Sequence, residues 1–136
     1  MMKSLAIVIT AGFGALVPGA SLACGACIED KVAATYDHAV IERAIATHRQ
    51  VVFVAIDGPV SASRVIARIV AAAPRVRGVQ PASLRTSTSP LAYSFVLEAG
   101  ADPRAAIASF RERVGDGNAR LVAVRIMRDG ALHEPD

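Results

Sequence analysis

The sequence contains no tryptophan, only two cysteines, and few aromatic residues of any kind (4 %). Beyond the first 23 residues no stretch is apolar for long enough to cross a bilayer, which takes about 20 residues. There is no glycine-rich phosphate loop, no internal repeat, and no grouping of nucleophile, base and acid that reads as a catalytic constellation. Neither sign of charge dominates. Fifteen basic residues face twelve acidic ones, for a net charge of +3. The basic residues are nearly all arginine and are interleaved with acids, which describes a solvated surface and argues against a nucleic-acid partner. Enzymatic activity is therefore not expected, and the chemistry of the chain is concentrated in its two cysteines.

What is present begins with a secretory signal over residues 1–23. Lys3 supplies a short positive region, Leu5 to Val17 an apolar core, and Pro18-Gly19-Ala20-Ser21-Leu22-Ala23 a small-residue cleavage region. Ser21 and Ala23 favour a cut directly before Cys24. A periplasmic or secreted location follows, in which a close cysteine pair oxidises to a disulfide unless a metal or reductant holds it open. Lipidation at Cys24 is the rival reading, since lipoproteins are also cut before a cysteine. Ser21 stands where such signals usually carry leucine. A lipidated Cys24 could not form a dithiol with Cys27.

The pair itself reads Cys24-Gly25-Ala26-Cys27, opening a segment (24–49) in which Ile28, Val32, Tyr36, Ala39, Val40 and Ala44 recur at helical spacing. No Pro or Gly interrupts Cys27 to His48, so one continuous helix is expected, with Glu29 and Asp30 in its first turn complementing the dipole. Val51 to Ile56 is an all-apolar, β-branched strand. A helix follows from an N-cap at Ser61, with Val65, Ile66, Ile69 and Val70 inward and Arg64 and Arg68 outward, ending at Pro74. The stretch from Val76 to Thr88, broken by Gly78 and Pro81, reads as an edge strand. Leu91 to Glu98 alternates cleanly. Asp102-Pro103 opens a third helix that ends at Gly115. Leu121 to Met127 is the last strand, and 129–136 a polar tail.

After the first helix the order is β-α-β-β-α-β, the α+β ferredoxin-like split-βαβ sandwich, expected over residues 50–128. Its second and fourth strands are edges, which suits Pro81. The first strand is apolar on both faces, so something must cover the second face of the sheet. The N-terminal helix is the economical candidate, and a homodimer partner the other.

Residues Gln50 to Met127 resemble a heavy-metal-associated domain, the ferredoxin-like module of copper chaperones and metal-pumping ATPases. The likeness lies in strand-Gly58-loop-helix, then Gly78-Val79 leading into the second strand. That family holds its metal in a Gly-Met-x-Cys-x-x-Cys loop. Here the loop is Gly58-Pro59-Val60-Ser61-Ala62-Ser63-Arg64, with Ser61 and Arg64 at the cysteine positions. The resemblance thus implies the scaffold, and a metal transporter or other periplasmic metal protein as partner, but no ligand in that loop.

Cys24 and Cys27 are the candidate metal ligands. Two thiolates near a helix start suit Cu(I), half of a zinc site, or a redox-active dithiol. A free α-amino group on Cys24 would add a ligand. An inert structural disulfide bracing a non-catalytic interaction module is the plain alternative. No strand precedes the motif and no tryptophan adjoins it, which argues against a thioredoxin-like enzyme. Zinc needs two further ligands. His38 lies roughly 16 Å along the helix from Cys27, His48 lies farther, and His133 would have to fold back.

Overall fold

The computed structural model describes residues 23–136, with side chains from Ile28 onward. The expected signal peptide and its cleavage region, Ala23 excepted, lie outside the described residues. The elements are α1 (Ala23–Ala34), α2 (His38–Ala46), β1 (Gln50–Asp57), α3 (Ala62–Ala72) with a 3-10 turn at Ala73–Arg75, β2 (Val79–Thr88), β3 (Leu91–Leu97), α4 (Pro103–Val114), β4 (Arg120–Arg128) and β5 (Ala131–His133). One antiparallel sheet runs in the order β2-β3-β1-β4-β5. Up to β4 the connections and strand order are compatible with a ferredoxin-like sandwich.

The β1 sequence explains the layering. Successive strand residues point to opposite faces, and in Val51 to Ile56 both sets are apolar. Val52, Val54 and Ile56 join a core under α3 and α4 that includes Val65, Ile69, Phe110 and the β3 residues Tyr93, Phe95 and Leu97. Val51, Phe53 and Ala55 join a second core with Val96, Val124 and Met127, roofed by Val32 of α1 and Ile41 and Ala44 of α2. Each large side chain taken fully out of water on either face contributes about 1.5–3 kcal/mol. Both sheet faces are therefore covered by helices of the same chain.

The ends of the elements follow from local chemistry. Asp102 caps α4 by accepting from the Arg104 N–H, Pro103 sits at its first position, and Gly115 closes it in the left-handed region. Gly58, after β1, has φ +111°, and a Cβ there would collide with the Asn118 carbonyl oxygen, so no other residue fits without moving that loop. Pro81 lies on the edge strand β2, inside the Gln80–Arg85 stretch where the register against β3 shifts. There the Ser83 hydroxyl stands in for the ladder, accepting from the Val96 N–H and donating to the Gln80 carbonyl.

Five expectations need correction. The continuous helix from Cys27 to His48 is two helices, broken at Thr35–Asp37. Asp37 begins the second by accepting from the Val40 N–H, and its other oxygen receives Arg85 Nε at 2.8 Å. An aspartate that caps a helix and pairs with the sheet ends one rod and starts another without any Pro or Gly. Because the chain is already helical from Ala23, Glu29 and Asp30 are not in the first turn of α1. In α3, Ile69 and Ala72 are buried, but Val70, rotated about 100° from Ile69, is half exposed. Ser61 occupies the N-cap position of α3 without a capping side-chain bond. Finally, the tail is not wholly unstructured: β5 pairs with the end of β4 through Ile126, Met127 and Arg128, so only the first part of β4 is an edge.

Candidate functional site

Cys24 and Cys27 both fall within α1, in its first turn and a half. Residues three apart on a helix share a face, with Cβ atoms roughly 5–6 Å apart. The chain is already helical before Cys27, so Cys27 does not open the helix as expected.

The rest of α1 is fastened to the sheet by three kinds of contact. Val32 is buried in the second core, with Ile28 packed partly against it. Lys31 Nζ lies 3.3 Å from Asp57 Oδ1 at the end of β1. At the other end, the buried Ser94 hydroxyl on β3 donates to the Thr35 carbonyl at 2.9 Å, while Thr35 Oγ1 donates to the Lys31 carbonyl. Ser94 therefore satisfies a carbonyl at the frayed end of a helix. Its buried position is structural.

Beside α1 runs a mostly apolar groove of about 480 Å³, lined by Ile28, Val32, Tyr36, Arg125 and Leu132 among others. Tyr36 and Leu132 are large and nearly half exposed on its rims. This groove was not legible from sequence spacing, because Leu132 reaches α1 only through the pairing of β5 with β4. Val-Arg-Ile-Met-Arg followed by Asp-Gly was the readable trace, as a strand and turn that could be continued by another strand.

The histidines lie elsewhere. His38 begins α2, and its Nε2 is 3.0 Å from Glu42 Oε1 in an exposed i,i+4 pair. His48 follows α2 with φ +53°. His133 does fold back, on β5, but it follows Leu132 on a strand and so points to the face opposite the groove. Among the described residues, no three His, Cys, Asp or Glu side chains come together as a metal-binding group. The Gly58–Arg64 loop, at the metal position of the resembled family, carries Ser61 Oγ and Ser63 Oγ 3.4 Å apart and exposed.

Among the described residues, two titrating groups are clearly displaced. The Arg85 hydrogen bond, aided by the Val40 N–H, holds the Asp37 carboxyl below its ordinary 3.8. Burial pushes the Tyr93 phenol far above its ordinary 10.0. Tyr93 is inaccessible to solvent, and its hydroxyl has no hydrogen-bond partner among the described residues. It packs against Phe95 and Phe110, ring centroids 5.9 and 5.1 Å away.

No family model, no curated protein and no solved structure matches this chain.

Proposed function

We propose that this protein is an exported carrier of a soft metal ion, Cu(I), which it holds as cargo between the thiolates of Cys24 and Cys27 in metal trafficking or tolerance. In this reading the signal peptide 1–23 is removed, α1 is an added N-terminal layer, and the remainder is a ferredoxin-like sandwich with no metal loop of its own. The observation that carries it is the placement of the only two cysteines one turn apart on a helix whose remaining length is clamped to the sheet. Two soft sulfur donors are a sufficient set for Cu(I).

Zinc is less well served. Its tetrahedral shell would need two more donors, while His38 is engaged by Glu42 and His133 stands on the far side of β5.

The test is an anaerobic titration of the reduced protein with Cu(I) in competition with a bidentate chelator. The wild type is expected to take one ion per chain from the chelator, and Cys24→Ser and Cys27→Ser each to lose this. Failure of the wild type to compete overturns the proposal. Intact mass under non-reducing conditions reports the cleavage point, and an acyl chain on Cys24 would equally end it.

A further inference from the structure

The face of the molecule away from α1 and α2 carries an arginine cluster that neither the cysteine site nor the fold accounts for. The expected interleaving of arginines with acids fails from Ser61 to Arg77, which holds four arginines (Arg64, Arg68, Arg75 and Arg77) and no carboxylate. All four are exposed. A cleft of about 290 Å³ opens between α3 and α4, and three of its five lining residues are Arg68, Arg75 and Arg113. The other two are Ala71 and Ala72. No acidic side chain lines it.

The cluster is also partly organised in advance. Arg68 Nη1 donates to the Val114 carbonyl at 3.1 Å, bridging α3 to the end of α4. That bond uses one of the five guanidinium N–H groups and fixes the plane of the others. Arg113 stands in the last turn of α4, where the helix dipole favours a cation without a neighbouring acid. Among the described residues none of the three forms an ion pair with a carboxylate. Three guanidinium groups gathered around one concavity repel one another unless an anion is supplied. Their planar forks match the oxygens of a phosphate.

We propose that the cleft between α3 and α4 binds a phosphate group, held by Arg68, Arg75 and Arg113. The volume suits a single phosphate or diphosphate. Free phosphates and phospholipid headgroups share this chemistry. The proposal is independent of the metal reading, and neither stands or falls with the other.

The experiment is calorimetric titration of the full chain with inorganic pyrophosphate at low ionic strength, with co-sedimentation against phosphatidylglycerol and phosphatidylcholine vesicles alongside. Saturable pyrophosphate binding at one site is expected, weakened roughly tenfold or more in Arg75→Gln and in Arg113→Gln, since each removes a hydrogen bond to a charged group. Both side chains are exposed and make no structural bond, so these variants are expected to fold, as thermal unfolding by circular dichroism will check. Arg64→Gln, on the same face but outside the cleft, is expected to bind like the wild type. Sedimentation with phosphatidylglycerol vesicles alone, lost in the same two variants, would assign the phosphate to a lipid; pyrophosphate binding without sedimentation would assign it to a soluble ligand. Absence of binding in both arms overturns the proposal. So does an equal loss in Arg64→Gln, which would mean diffuse attraction to a basic surface.

Discussion

Replacing Tyr93 by Phe removes one oxygen atom from the centre of the larger core and should make the protein more stable, increasingly so in alkali. At neutral pH the wild-type hydroxyl is buried without a partner. Leaving such a group unsatisfied costs about 1–3 kcal/mol. Phenylalanine keeps the ring contacts with Phe95 and Phe110 and leaves only a hydroxyl-sized gap, so a gain of about 1 kcal/mol is expected. The pH dependence has a definite sign. Burial raises the folded-state pKa of the phenol above the 10.0 of the unfolded chain. Above that value the unfolded state binds fewer protons than the folded one, and stability falls as pH rises. The contribution is intact below 10.0 and is lost at about 1.4 kcal/mol per pH unit above it. By pH 11 the gap between variant and wild type should have widened by about that amount. Urea unfolding followed by far-ultraviolet circular dichroism measures both quantities, and an absorbance titration should show the Tyr93 phenol ionising only on unfolding. A Tyr93→Phe variant less stable than wild type at neutral pH, or one whose stability runs parallel to it above pH 10, would refute the account of Tyr93.

Three other substitutions probe the framework. Gly58→Ala places a Cβ against the Asn118 carbonyl at φ +111° and should cost about 2 kcal/mol or more, read as a fall in the urea midpoint; an unchanged midpoint would mean that the loop yields freely. Ser94→Ala leaves the Thr35 carbonyl without its buried donor and should cost about 1–3 kcal/mol, with faster amide exchange along α1 than along α4; uniform exchange would mean that Ser94 does not anchor the helix. Asp37→Asn keeps a capping side chain for α2 but removes the carboxylate that Arg85 holds below 3.8. The wild type should be the more stable above that pH, and its advantage should shrink as pH falls through the lowered value; a gap that stays constant into acid would contradict the pairing.

Local chemistry made much of the framework readable. Asp102-Pro103 and Gly115 mark both ends of α4 because caps act through the residues beside them. Pro81 marks an edge because it cannot donate to an interior ladder. The two-faced apolar pattern of β1 announces two cores, since period-two patterning records burial directly. What escaped the sequence depends on partners far along the chain. The break at Thr35–Asp37 is set by Ser94 and Arg85, 59 and 48 residues away from their partners. β5 exists because Ile126 to Arg128 offered a free edge. The Arg68–Arg75–Arg113 cleft combines two helices that sequence spacing cannot bring together. The cysteine pair was evident as a motif, but the start of the helix was not, since the chain is already helical before Cys27.

Because β1 contributes alternate residues to two cores, the segment that carries the cysteines is not a detachable arm. Peeling α1 and α2 from the sheet would present Val51, Phe53, Val96, Val124 and Met127 to water at once, a continuous oily surface on an otherwise well-folded sandwich. Any event at the sulfur pair that tugs on the first helix is therefore resisted by the whole underside of the sheet. A chain truncated before residue 50 should self-associate instead of surviving as a smaller soluble unit.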